Sequence, residues 1–217
     1  MVPHVWTDHF MLGYHDLTEG IDWFKANTGV EPVVGGKHPG RGTQNAMISL
    51  SSSVYLEIIA PDPDQVPNPF TSILKQIKIR PALITWAAAT NDIQGLVFEA
   101  KRKKIPCSRI TEGSRQRTDG SILNWKMMYT GTTDTQQFIR SVFPFFIEWQ
   151  DMRIHPAITS PMGCMLRTFT VHYPAVRRDL GDFLNASLHT SFTQSNEADM
   201  ELTIQSPEGL VHFSLFK

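Results

Sequence analysis

Apolar positions alternate along this chain in short runs, broken by clusters of Gly, Pro and Ser, and segments with helical spacing stand between the runs. Residues 5–12 (VWTDHFML) are rich in β-branched and aromatic side chains and predict a strand. Asp16-Leu17-Thr18-Glu19 then opens a helix with acid in its first turn, Ile21, Trp23 and Phe24 give it an apolar face, and Gly29 supplies a stop. Residues 30–34 predict a short strand ended by Gly35-Gly36, 46–50 a third strand, and 54–60 (VYLEIIA) a fourth, closed by Pro61-Asp62-Pro63. The order is βαβββ. A proline-rich connector over 61–69 leads to a short helix over 70–79. The order then repeats, with a strand over 82–89, a helix capped by Asn91-Asp92, and strands over 105–110, 122–129 and 142–149. A third block is shorter but similar, with a strand over 164–172, a helix over 175–184, a strand over 189–192 and a hairpin over 200–216 turning at Ser206-Pro207-Glu208-Gly209. Repetition at this length scale is the main architectural signal and predicts an α+β fold of repeated βαβββ units.

Charge narrows the partners. The 217 residues carry 20 Lys+Arg against 21 Asp+Glu, a formal net charge of −1, which argues against a general nucleic-acid binder. The longest apolar stretch, 82–89, is too short to span a bilayer, so no membrane partner is expected. The N-terminus lacks the basic region of a secretory signal. Two cysteines, Cys107 and Cys164, make no disulfide framework and no CxxC pair. A cytoplasmic, reduced protein is the expectation.

Several side chains stand out for chemistry. His9 lies on the first strand, either as a site residue or as a buried imidazole bonded to Asp8 or Glu57. Glu57 sits between Leu56 and Ile58 in an apolar strand, where a carboxylate needs a partner. Glu148, in Phe145-Phe146-Ile147-Glu148-Trp149, repeats that pattern in the second unit. His38, Arg41, Thr43 and Asn45 belong to a glycine-rich loop that reads as an anion or carbonyl-oxygen cradle, or as a hairpin with no ligand. Arg115, Arg117 and Asp119 fall in a polar loop, where a guanidinium pairs either a ligand carboxylate or Glu148 or Glu112. Trp125 and Trp149, with Trp86, Phe145 and Phe146, are candidates for an apolar pocket or for core. His155-Pro156 is close enough to fold back over the sheet. Neither a nucleophile elbow nor HExxH is present.

Three stretches carry a family resemblance. Asp8-His9-Phe10, the run from Gly35 through Lys37-His38-Pro39-Gly40-Arg41-Gly42 to Ala46, and Tyr55-Leu56-Glu57 through Pro63 resemble the glyoxalase-like domain family of the vicinal oxygen chelate superfamily. Gly113-Ser114-Arg115 with Trp125, and Pro144 through Trp149, are similar to the same family. The superfamily includes glyoxalase I, extradiol dioxygenases and bleomycin-resistance proteins, so fold is implied more firmly than reaction. The resemblance implies that the first two units, about 1–62 and 80–150 within a domain of 1–156, pair into a cupped mixed sheet. Residues 157–217 would form a third βαββ unit packed on it. It implies a divalent metal (Zn, Mn, Ni or Fe) held by His9, Glu57 and Glu148, or none. The first strand of the second unit, Leu83-Ile84-Thr85-Trp86-Ala87-Ala88-Ala89, offers no ligand, so a four-ligand site is incomplete. Two functions stay open. One is an enzyme of the lyase, isomerase or dioxygenase kind that transforms a small oxygenated metabolite, with Glu57 and Glu148 catalytic and His38, Arg41, Asn45, Arg115, Trp125 and Trp149 binding the substrate. The other is a metal-free sequestration protein of the bleomycin-resistance type. A homodimer would cover the sheet edge that a lone third unit exposes.

Overall fold

Asp16 and Asp92 start the two long helices as their sequence promises, each side-chain carboxylate accepting from the backbone N–H three residues on. Gly29 ends the first helix in the left-handed conformation, at φ 73°. The computed structural model describes residues 3–117, 120–130, 141–174 and 190–217; the helix expected over 175–184 and Asp119 lie outside the described residues. The first unit consists of β1 (Val5–Gly13), α1 (Leu17–Thr28), β2 (Val33–His38), β3 (Thr43–Ser49) and β4 (Tyr55–Pro61). After the short α2 (Pro69–Leu74) comes the second unit: β5 (Ala82–Thr90), α3 (Ile93–Arg102), β6 (Thr111–Gln116), β7 (Ile122–Tyr129) and β8 (Phe145–Trp149). A 3-10 turn (Met152–Ile154) and α4 (Pro156–Thr159) lead to β9 (Met165–Pro174), β10 (Ser191–Ser195), β11 (Asp199–Ser206) and β12 (Gly209–Ser214).

The first eight strands form one sheet in the order β2-β3-β4-β1-β5-β8-β7-β6. In each unit the first strand runs parallel to the last, and the units join through antiparallel β1 and β5. The sheet curls until its two edges approach. Arg115 on β6 reaches across the seam to Asn45 on β3, and a Cβ on Gly36 would stand 3.0 Å from the Gln116 carbonyl oxygen. The convex face buries Phe10, Leu56, Ile58 and Trp86 against α1, α3 and the second sheet. The concave face carries the polar side chains described below.

The last four strands make a separate sheet in the order β10-β9-β11-β12. Phe169, Val171, Leu202 and Phe213 of this sheet share the convex-face core, with the Phe169 ring 4.7 Å from Phe10 and 5.0 Å from Trp86. Here the first strand is parallel to the second, not to the last, so the third block is not a copy of the first two. The expected hairpin joins β11 and β12, with Gly209 at φ 117° completing the turn. Several strand boundaries move. Gly35, Gly36 and His38 lie inside β2, and Arg115 lies on β6, where a loop was expected. The strand expected over 105–110 reduces to one bridge at Cys107, and β8 begins only at Phe145. No helix of the described residues is long and apolar enough to cross a membrane.

Candidate functional site

Strand parity decides which side chains enter the cup. His9 pairs with Tyr55 on β4 and with Ala87 on β5, and Met11 pairs with Glu57. On β8 the odd positions Phe145, Ile147 and Trp149 face inward with Trp125 and Met127 of β7. The cup encloses a cavity of about 240 Å³, lined also by His38, Arg41, Asn45, Phe70 and Arg115. An outer polar groove of about 300 Å³ shares His38, Arg41 and Trp125 with it.

A β-bulge builds one end of the site. Between Thr7 and His9 the pairing with β5 slips by one residue, leaving Asp8 as the extra one. Alternation would send neighbouring side chains to opposite faces; the slip lets Asp8 and His9 meet instead. Asp8 Oδ1 accepts from His9 Nδ1 at 2.6 Å, and Asp8 Oδ2 accepts from Trp149 Nε1 and His155 Nε2, both at 3.0 Å. Asp8 and His155 are wholly buried. Burial by itself would raise the Asp8 pKa, but the hydrogen bonds from His155 and His9 prevail and bring it to about 2. His155 comes from the connector between the second unit and β9, where its Nδ1 accepts from Ala157 N–H at 3.2 Å. A backbone amide can only donate, so His155 carries its proton on Nε2 and points it at Asp8. Ionised Asp8 in turn fixes the His9 proton on Nδ1 and turns His9 Nε2 toward the cavity.

The other end is anchored in the same way. Arg115 Nη1 donates to Asn45 Oδ1 at 2.8 Å, and Asn45 Nδ2 donates to Glu57 Oε1 at 2.6 Å. A guanidinium has no acceptor, so it sets the Asn45 amide, which holds Glu57. Glu57 Oε2 is left 3.6 Å from His9 Nε2. Tyr55 stacks on the His9 ring at 4.5 Å, and Phe145 meets it edge-on at 5.4 Å. His38 donates to or accepts from Thr43 Oγ1 through Nδ1 at 2.9 Å, and its Nε2 is 4.0 Å from Glu57 Oε1. Burial, assisted by the Arg115 and Arg41 charges and opposed by Glu57, lowers the His38 pKa to about 4.

Of the residues singled out in the sequence, His9, His38, Arg41, Asn45, Glu57, Arg115, Trp125 and Trp149 all line this cavity. Glu148 does not. It sits at an even position of β8, accepts from Ile93 N–H at the start of α3 at 2.8 Å, and has Lys126 Nζ at 3.8 Å. Its pairing as the counterpart of Glu57 across the cup is corrected: strand parity turns it outward, where it anchors a helix. Trp86 and Phe146 belong to the convex-face core. Sequence reasoning left the role of His155 open and met Asp8 only as a partner for His9.

The donor set does not fit the metal that the resemblance implied. With Glu148 outside, only His9 and Glu57 remain of the expected three ligands. Ala87, which pairs with His9 on β5, and the inward Phe145, Ile147 and Trp149 of β8 cannot ligate. His38 is the nearest substitute, but the Arg41 and Arg115 guanidinium groups on the same wall disfavour a cation. Among the described residues no three His, Cys, Asp or Glu side chains have metal-binding spacing.

A cup of two paired βαβββ units, with a histidine on the first strand and a carboxylate on the fourth, is the arrangement that the resemblance to the vicinal oxygen chelate superfamily implied. The chain belongs to the glyoxalase-like domain family, whose sequence profile matches residues 7–178. No curated protein matches it. Among solved structures, a hypothetical protein from Staphylococcus aureus is 14% identical, covers 97% of this chain and 99% of its own, and gives a TM-score of 0.66. That coverage takes in the second sheet. Methylmalonyl-CoA epimerase from Streptomyces coelicolor is 15% identical over 67% of this chain and 97% of its own, with a TM-score of 0.46. The Mycobacterium tuberculosis epimerase is 15% identical over 66% of this chain and 85% of its own, with a TM-score of 0.44.

Proposed function

We propose that the cup takes up a small oxygenated metabolite and moves a proton on it, with His9 and Glu57 as the acid–base pair and no metal in the step. The supporting observation is that donor-only groups fix both partners. Trp149 and His155 hold Asp8, Asp8 holds His9, and Arg115 holds Asn45 against Glu57. His9 Nε2 and Glu57 Oε2 therefore face each other across 3.6 Å as two acceptors. Two buried acceptors at that separation are favoured by a proton placed between them, so the geometry suits the pair to passing a proton. That proton can be given to a ligand atom above the pair, or one more taken from it. Removal of a proton next to a carbonyl leaves negative charge on the oxygen, and Arg41 is the nearby cation that would stabilise it.

The test is deuterium exchange. The protein is incubated in D2O with small 2-oxo and 2-hydroxy carboxylates and ketones, and the α-proton signals are followed by proton NMR. At least one compound exchanges faster than in buffer, and His9→Asn slows that exchange on the order of 10²- to 10⁴-fold. Compounds that bind, as seen by saturation transfer, without exchanging would overturn the proposal and favour the sequestration reading. The apolar inward positions of β8, Phe145, Ile147 and Trp149, suit that second reading.

A further inference from the structure

We infer that the ligand of this cup is a small monocarboxylate, its carboxylate seated on Arg41 and its apolar body lying against Phe70, Trp125, Phe145 and Ile147. The inference deepens the proposed function and rests on the cup as the ligand site; it does not need the proton transfer.

The support for Arg41 is built rather than incidental. Its backbone forms the turn after β2, with Arg41 N donating to the His38 carbonyl at 3.0 Å. Gly40 and Gly42, at φ 71° and 70°, flank it in a conformation that side chains resist. Both glycine N–H groups donate to Gln65 Oε1, at 2.9 and 3.3 Å, and Asn68 Nδ2 donates to the Arg41 carbonyl at 2.8 Å. Gln65 is itself tied to Asp62 Oδ2 at 2.8 Å. The turn is thus clamped from the connector on the far side, and the side chain enters the cavity from a fixed origin.

The charge of Arg41 is unanswered by the described residues. Its Nη2 donates to Met127 Sδ at 3.4 Å and the guanidinium also hydrogen-bonds the Tyr129 side chain, but both partners are uncharged, and among the described residues no carboxylate forms an ion pair with it. Neighbouring cations are treated differently: Lys37 meets both Asp62 and Asp64, and Lys126 meets Glu148. Inside the cup, Glu57 answers Arg115 through Asn45. His38 is neutral at physiological pH and adds no charge. Among the described residues, Arg41 is therefore the lining cation that no carboxylate meets directly or through Asn45, and it stands where the cup opens into the outer groove. A guanidinium held beside apolar walls without a counter-ion is costly, and a ligand carboxylate meets its fork with two hydrogen bonds. Phe70, Trp125, Phe145 and Ile147 give the same cavity an aromatic and aliphatic wall, which suits a flat apolar body. A cavity of about 240 Å³ falls below the ~300–1,000 Å³ of drug-sized sites and so limits the ligand to metabolite size.

The experiment uses benzoylformate, phenylpyruvate and hydrocinnamate, each paired with its uncharged primary amide, titrated calorimetrically into the whole protein. At least one acid binds, and its amide binds no less than tenfold more weakly. Arg41→Gln lowers the affinity of that acid at least tenfold and abolishes the difference between acid and amide, while its melting temperature stays near that of the wild type. Arg41→Lys falls between, because an ammonium keeps the charge and loses the fork. An amide that binds as tightly as its acid, an acid indifferent to Arg41→Gln, or no binding by any of the three acids overturns the inference. The two readings fail separately. Acids that bind through Arg41 without His9-dependent exchange leave this inference standing alone, whereas exchange that is equal for charged and neutral compounds leaves only the proton transfer.

Discussion

Asp8 accepts three N–H donors in a site without solvent, and its charge sets the tautomer of the residue beside it. This makes a sharp expectation for Asp8→Asn. Trp149 and His155 still present donors, so the new amide turns its oxygen toward them and its NH2 toward His9. His9 Nδ1 then becomes an acceptor, its proton moves to Nε2, and the cavity loses its base. Imidazole 15N spectra should report the tautomer reversal. Exchange of any active compound should fall on the order of 10⁴-fold, as expected for a base locked in the wrong tautomer, while the melting temperature changes little. A spectrum with the His9 tautomer unchanged would contradict the clamp. Acid lability follows from the same cluster of side chains. A histidine whose folded pKa is depressed contributes stability above its unfolded pKa and loses it as pH falls through the folded value. For His38, from 6.5 to about 4, that loss is on the order of 3 kcal/mol. Asp8, lowered from 3.8 to about 2, adds a second loss that begins only below pH 4. Urea unfolding between pH 7 and pH 4 should therefore show a steady decline that His38→Asn flattens and that an Asp8 variant leaves in place.

At the scale of strands and helices, β2 exists in its present form for the sake of the seam. A Cβ at Gly35 would overlap both Arg115 Nη1 and Asn45 Oδ1. Gly35→Ala should therefore break the Arg115–Asn45 bond and release Glu57 while leaving β3 and β4 paired. The checks are loss of proton exchange together with near-wild-type far-UV circular dichroism; full exchange in this variant would remove Arg115 and Asn45 from the site's support. The same geometry explains what the sequence disclosed and what it hid. The strands that contact the convex core, β1, β4 and β5, carry Phe10, Leu12, Leu56, Ile58 and Trp86 and are legible from β-rich patterning. So are α1 and α3, from their caps and apolar spacing. Strand β6 was read as a loop because its inward residues are Gly113 and Arg115, one cleared for Trp125 and the other spanning the seam. The strand expected over 30–34 stops short of the second half of β2 because Gly35 and Gly36 make room rather than pack. Glu57 lies on the inward face with Tyr55 and Ile59, whereas Glu148 lies on the outward face of β8, because one residue of register reverses the face. The meeting of Asp8 with His9 depends on a bulge, which no local pattern announces. The contribution of His155 depends on a connector crossing from the end of the second unit, which is a long-range event.

For the whole molecule, the decisive feature is that two sheets share one core. Phe169 stands between Phe10 and Trp86, Phe24 stacks on Phe213 at 6.5 Å, and the Phe216 amide donates to the Leu83 carbonyl at 2.7 Å. The connector that carries β9 away from the cup also delivers His155 to Asp8, and Ser49 N–H donates to the Pro161 carbonyl at 2.8 Å. The second sheet is therefore bound to the first both through the core and through the support of the site. Cooperative unfolding follows, because neither sheet can expose its shared face without exposing the other's. Phe169→Ala removes a buried aromatic ring and should cost about 3–5 kcal/mol. Tryptophan fluorescence reports Trp86 at the sheet junction and Trp125 and Trp149 in the cup, while far-UV circular dichroism reports all strands. With one shared core the two signals shift together to a lower denaturant midpoint and remain a single transition. If the second sheet were an independent domain, Phe169→Ala would split the curve, and the cup tryptophans would keep the wild-type midpoint. The coincidence of the two probes in the variant, more than the size of the shift, decides whether the last four strands are part of the machine that holds His9 in place.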